Sequence, residues 1–544
     1  MNIDNTTLVL LGIFLALMLW QRMKPQSLVH PLMLGKQAEP GPVRKTGESA
    51  IYRSWATGHN APLTTQLQLR PSGQAKTVPD MIPKDKGRPE SRQLLGAELD
   101  SAGLSQTATM LPGGLRELFP DLARATKDSP APIAALIPPS TATGLPLLLL
   151  SLASRPSTPL VVVPRPSALP AALKGQGMPQ APKLVVLHVA SLDRLPEIEC
   201  SVLLVGDPQK NAAPRVGDRK NVQWWEDVWA AAEVVPNYTE EVSYIDTHSY
   251  RYNETGTDVA KAMHVNMTAG VASLLAIFPA EKRPGPKDTI ASSQSLNTPF
   301  GMGIALAAVL SGSSIKLVGS PEPVWGASNP AADMIALAAS TGPRPTILIL
   351  TPAQEAAVLA GLYDTYAKTP FSSLAGRHML RNLSGGHVSR EGVWNTLVWS
   401  SVRASVGGLA ADARANIVVG PVPESLLTPA AALFSLPLIR VTSSQWASGP
   451  LTATHFYDLQ SPGGEIALPR PGGPIASAGP PANNVELLLK GVAEPWPETG
   501  KVAGHVWARG PSVLDILGVT GSDGWVDTGY EGGVLPNGTF VVEA

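Results

Sequence analysis

The chain has 544 residues, of which 44% are hydrophobic and 16% charged, and its formal net charge is −1. That length exceeds one compact domain and predicts two or three packed subdomains. The near-neutral charge argues against nucleic acid as the main partner, because phosphate binding needs a basic face. A single cysteine, Cys200, excludes an internal disulfide and a cysteine-based zinc site.

Thr6–Trp20 is an uncharged apolar run of 15 residues. It is shorter than the ~20 residues of a full membrane span. At 1.5 Å per residue it covers roughly 22 Å, enough for a thin bilayer if its flanks snorkel. Trp20 stands where an interfacial aromatic belongs, and Arg22 and Lys24 follow it. The N-terminal flank carries Asp4 and no base. This asymmetry predicts a membrane anchor over 1–24, with the body in the cytosol. A cleaved signal peptide is the rival reading, but no basic leader or A-x-A-like cleavage site is present.

Residues 25–94 are polar and Pro-rich and read as a linker, with disorder expected around Gln37–Pro42 and Ser72–Glu90. The pattern then changes. Leu115–Thr126 and Gly144–Ala153 read as helices. Ile133–Ile137, Thr158–Val163, Leu184–Val189 and Cys200–Val205 read as short apolar strands. A second set follows, with helices over Val265–Phe278, Gly301–Leu310, Met334–Ser340 and Pro352–Tyr363 and strands over Ser314–Val318 and Thr346–Leu350. A third set spans Ile417–Val419, Pro429–Phe434 and Leu438–Val441. Runs at Val485–Leu489, Val502–Ala508 and Thr539–Val542 read as β structure. Apolar strands alternating with helices predict a mainly parallel sheet with helices on both faces.

Several stretches resemble the adenylate-forming enzymes, and the long-chain acyl-CoA synthetases in particular. His30–Gly58 resembles the leader of the fungal-type, membrane-associated members. Leu397–Gly408 (LVWSSVRASVGG), Ser448–Thr454 (SGPLTAT), Gly472–Leu487 (GGPIASAGPPANNVEL), Gly504–Val513 (GHVWARGPSV) and Asp523–Gly529 (DGWVDTG) resemble family stretches in the family's order. The resemblance covers 95–544. It implies an α/β fold: two αβ subdomains (about 95–240 and 241–450) and a small β subdomain (451–544) behind the N-terminal membrane helix.

The family activates a carboxylate with ATP and magnesium and passes the acyl group to CoA. Such chemistry needs fixed phosphate donors, a cation and a carboxylate-supported metal. The resemblance places the phosphate loop at Tyr252–His264, where Thr255, Gly256, Thr257 and Lys261 remain. A second glycine and a proline are missing. Glu254 and Asp258 add negative charge where phosphate belongs. The adenine and magnesium motif falls on Thr442–Trp446, so Gln445 and Trp446 stand where the family has threonine and glutamate. The ribose motif falls on Thr528, Gly529 and Tyr530, a phenol in place of aspartate. The family's C-terminal lid is not found before Ala544.

The implied function is therefore that of a membrane-anchored, synthetase-like pseudoenzyme with a lipid-related binding or scaffold role. Its expected location is the endoplasmic reticulum or a lipid-droplet surface, with the main domain cytosolic. Its expected partners are membrane lipid through the N-terminal helix, a fatty acyl ligand or another protein. No cofactor and no metal are expected. The alternative is a divergent long-chain fatty acid–CoA ligase, which would use ATP and magnesium. A third reading is an unrelated membrane-tethered α/β protein. The nine histidines show no metal-ligand spacing. His248 and His264 straddle the altered loop, each read as an ordinary solvated or satisfied side chain.

Overall fold

The computed structural model describes residues 5–22, 28–29, 31–57, 69–83, 91–194, 200–206, 222–235, 238–319, 325, 329–460, 463–469, 472–494 and 502–543. Three sheets organise the chain. The first has the spatial order Asp515–Ile516, Val259–Met263, Thr247–Tyr252, Leu160–Val162, Ile133–Leu136, Leu184–His188, Ser201–Val205 and Val222–Trp224. Its run from 247–252 to 222–224 is parallel. Its other edge closes antiparallel through 259–263 and 515–516. The central strands are buried along their whole length, as parallel strands covered on both faces must be.

The second sheet runs Thr452–Ala453, Leu438–Thr442, Ala415–Val419, Ile347–Leu350, Thr289–Ser292, Ser314–Leu317, Arg92–Leu94 and Ala97–Leu99. It is parallel except at its two edges. The helix Pro299–Ser311 lies buried along nearly all of its length. An apolar helix without a polar face belongs inside, between layers. The third sheet is antiparallel throughout: Ala38–Pro40, Tyr52–Ser54, Glu486–Lys490, Val502–Arg509, Val526–Val534 and Phe540–Glu543. Two sheets with helices on their faces and one smaller β sheet give the expected α/β arrangement.

The sheets interlock across the chain. The hairpin 247–263 belongs to the first sheet, although it follows residue 240. The pair 92–99 belongs to the second sheet, and 515–516 returns from the tail to the first.

Two expectations need correction. Gln37–Pro42 is ordered: Ala38–Pro40 pairs with Tyr52–Ser54, and the Gln37 amide donates to the Asn537 carbonyl (2.9 Å). Within Ser72–Glu90, residues 72–83 are ordered around the fully buried Val78 and Met81, while 84–90 lie outside the described residues. The strap 38–54 is clamped by Glu486, a fully buried carboxylate that binds both Arg53 and Arg509. A buried charge is stable only when paired in this way.

The N-terminal run forms a helix, Asn5–Arg22, with Val9, Leu10, Leu11, Ile13, Phe14, Leu15, Leu17 and Met18 all exposed. Among the described residues no helix is long and apolar enough to cross a membrane. The structure therefore gives a lipophilic helix and does not establish the span read in Thr6–Trp20.

Candidate functional site

The stretch assigned to the phosphate loop is the turn of a tight hairpin, in which Tyr252 pairs with Val259 and Tyr250 with Lys261. Asn253 builds the turn. Its Oδ1 accepts from the Thr257 amide (2.9 Å) and the Thr255 hydroxyl (3.2 Å). Its Nδ2 donates to Thr257 Oγ1 (2.8 Å) and Asp258 Oδ2 (2.7 Å). The Thr257 hydroxyl also donates to Asp258 Oδ2 (2.8 Å), and the Gly256 amide donates to the Asn253 carbonyl (3.2 Å). Asparagine side chains that bond the backbone ahead of them close such turns. Gly256 has φ +80°, and a Cβ there would lie 2.9 Å from the Ala168 backbone, so only glycine fits. The Gly256 and Thr257 amides and the Thr255 and Thr257 hydroxyls are thus engaged inside the turn. Glu254, paired with Arg165 (3.0 Å), adds its charge at the rim.

Lys261 lies three residues beyond the turn, between Tyr250 and Asp515 in register. The next residue back, Leu514, donates its amide to the Trp446 carbonyl (2.8 Å). Trp446 is 5% exposed and packs into the main core, whereas Gln445 is exposed. Tyr530 is half-buried, and its hydroxyl donates to the Ser443 carbonyl (2.9 Å); burial raises its pKa. Thr528 donates to the Val506 carbonyl (2.7 Å), and Gly529 takes φ +79° beside Asp527. The structure thus joins the 443–446 and 528–530 segments directly and ties Lys261 to them through 514–515. The turn residues Thr255, Gly256 and Thr257 bond within their own hairpin. Glu531 faces away, exposed beside His505 (3.7 Å), so it offers no substitute carboxylate next to Tyr530.

These residues do not fit a magnesium nucleotide. The fold family implies one, but the buried indole of Trp446 offers no oxygen to a metal, and Tyr530 spends its hydroxyl on the backbone. Among the described residues no group of three His, Cys, Asp or Glu could hold a metal ion.

The retained stretches hold the layers together. The Ser448 hydroxyl donates to the Asn266 carbonyl (2.6 Å) and the Ser512 carbonyl (3.0 Å). The helix His264–Leu275 passes so close that a Cβ on Gly270 would meet Ser448 at 2.4 Å. Arg509, in the ARGPSV stretch, is half of the Glu486 clamp.

One grouping was not read from the sequence. The hairpin brings His248 and His264 together, with ring centroids 5.1 Å apart, because Thr247 pairs with Met263. Reading the stretch as a hairpin closing on Asn253–Asp258 would have placed them side by side. His248 bonds Ser151 (3.1 Å) and Ser249 (3.1 Å), and His264 Nδ1 accepts from the Val78 amide (3.2 Å). Burial holds His264 down at about 3, with Arg155 adding to the effect. Burial likewise holds His248 well below its usual value, reinforced by His264 and Arg251. Both are therefore neutral side chains of a buried polar layer.

No protein-family model matches the chain, and no curated protein sequence matches it. Solved structures do match, and they define the fold as that of the acyl- and aryl-CoA ligases of the adenylate-forming superfamily. The chain is similar to the anthranilate CoA ligase AuaEII solved with anthranoyl-AMP, at 14% identity and a TM-score of 0.56, over 87% of this chain and 78% of that one. It is similar to a benzoate CoA ligase from Burkholderia xenovorans LB400 at 14% identity and a TM-score of 0.55, over 86% and 79%. It matches the N-terminal domain of FACL13 from Mycobacterium tuberculosis at 13% identity and a TM-score of 0.54, over 86% of this chain and 100% of that one. An unrelated α/β architecture is thereby excluded.

Proposed function

We propose that this acyl-CoA-ligase-fold protein no longer adenylates, and that it serves a lipid-related binding or scaffold role at a membrane. The carrying observation is the turn 253–258, in which the Thr255 and Thr257 hydroxyls and the Gly256 and Thr257 amides bond to Asn253 or Asp258. A phosphate would have to break those bonds and approach the Asp258 carboxylate. Coulomb repulsion and lost hydrogen bonds both oppose it. Trp446 in the core supports the same reading.

The helix Asn5–Arg22, with its exposed apolar side chains, supports attachment to lipid at the endoplasmic reticulum or a droplet surface, with the body cytosolic. The near-neutral charge supports a lipid or protein partner rather than nucleic acid. The test is thermal unfolding with and without millimolar MgATP. No shift is expected; a saturable rise in Tm would refute the loss of nucleotide binding. The second reading, a divergent long-chain fatty acid–CoA ligase using ATP and magnesium, draws on the match over the entire N-terminal domain of FACL13.

A further inference from the structure

A cavity of about 490 Å³ lies where the N-terminal strap meets the body. That is within the ~300–1,000 Å³ of small-molecule sites. Its walls are mostly apolar, with Leu32 and Met33 at the mouth and Ile277 and Ala453 deeper on the body side. The short helix Pro31–Gly35 presents Leu32 at 80% exposure and Met33 at 64%. Such side chains are left in water at a cost unless something covers them.

Several polar lining groups are already engaged. The Ser273 hydroxyl donates to the Asn483 carbonyl (2.5 Å), Gln37 donates to the Leu34 carbonyl (3.3 Å), and His455 Nδ1 accepts from the Tyr457 amide (3.2 Å). Lys36 is the one charged side chain among the lining residues, and no carboxylate lines the cavity. Its ammonium sits 4.5 Å from the centre of the Trp55 ring, also in the lining. An apolar slot with one cation beside it matches an apolar chain that ends in an anion. The seven residues from Arg22 to Val29 reach at most ~25 Å, so the cavity stays near the lipophilic helix Asn5–Arg22.

We propose that this cavity binds the acyl chain of a single-chain anionic amphiphile, with the anionic head on Lys36. The site is separate from the 443–446 and 528–530 segments. It rests on the lipid-binding reading given above and names the place where that binding occurs. Free fatty acid and lysophospholipid share the required chemistry.

The test uses the full-length chain and displacement of a fluorescent fatty acid. Saturable binding is expected, displaced by oleate, by 1-oleoyl lysophosphatidate or by both. Oleate alone identifies free fatty acid as the source, and lysophosphatidate alone identifies a membrane lipid. Oleyl alcohol should compete more weakly than the anions, and Lys36→Glu should abolish that preference. Ala453→Trp fills the slot, and Leu32→Asp changes a side chain too exposed to affect folding. Each should lose roughly tenfold in affinity, the equivalent of one apolar contact. Binding that survives both variants, or alcohol equal to oleate, would overturn the site while leaving lipid binding intact. No saturable binding to the unmodified chain would overturn lipid binding altogether. Acyl-adenylate formation, measured separately, would strike only the claim of lost catalysis.

Discussion

Replacing Glu355 with glutamine should stabilise the protein, and only at neutral to alkaline pH. Glu355 is fully buried on the helix Pro352–Lys368. Its Oε1 accepts from Asn416 Nδ2 (2.9 Å), while Glu355 Oε2 and Asn416 Oδ1 are buried without a hydrogen-bond partner. A proton on Oε2 supplies the donor these oxygens lack. Burial accordingly raises the carboxyl to about 7, opposed by the Asn416 bond. The folded state thus holds a proton that the unfolded chain releases near its ordinary value of 4.5. Stability therefore falls as pH rises from about 4.5 to about 7 and stays lowered above that. At ~1.4 kcal/mol per pH unit the full loss is about 3 kcal/mol. Glutamine keeps the acceptor for Asn416 and cannot ionise. Thermal unfolding of Glu355→Gln should show a gain of about 3 kcal/mol at pH 8 and under about 1 kcal/mol at pH 5. An equal shift at both pH values, or a lower Tm at pH 8, would refute the reasoning.

Further predictions follow from other groups. His264 works in the opposite sense: its folded value of about 3 lies below the ordinary 6.5, so stability is lost as pH falls below about 6.5. His264→Asn, which keeps an acceptor for the Val78 amide, should flatten the Tm profile between pH 4 and 6; an unchanged profile would contradict it. Tyr530→Phe removes the donor to the Ser443 carbonyl and should cost about 1 kcal/mol in unfolding experiments. Glu486→Ala removes the anion that the half-buried Arg53 and Arg509 share, at a cost of about 2 kcal/mol. The same variant should speed protease cleavage in the strap 38–57, and an unaltered digestion pattern would argue against the clamp.

The αβ core was legible because its strands carry their signal locally. Ile133–Leu136, Leu184–His188, Ile347–Leu350 and Leu438–Thr442 are short apolar runs between helices, buried on both faces, and the sequence pattern states as much. The strap strands were not legible. Ala38–Pro40 and Tyr52–Ser54 are three residues each and contain proline and arginine; the first pairs only with the second, and the second pairs with residues more than 400 positions away. The tail strand Asp515–Ile516 is two residues long and exists only as an edge for Val259–Met263. At the site, residue identity shows Trp446 and Tyr530 at positions that the resemblance assigns to carboxylates. It did not reveal that Asn253 would spend the turn's donors or that His248 and His264 would meet. The first rests on side-chain bonds within the turn, and the second on the hairpin register, which a sixteen-residue separation conceals.

The most direct test of the central claim is ATP–pyrophosphate exchange with a long-chain fatty acid, run with MgATP on the full-length protein. The turn 253–258, Trp446 and Tyr530 predict no fatty-acid-dependent exchange above background. Exchange that requires the fatty acid and saturates with it would contradict the account and make the protein a working ligase.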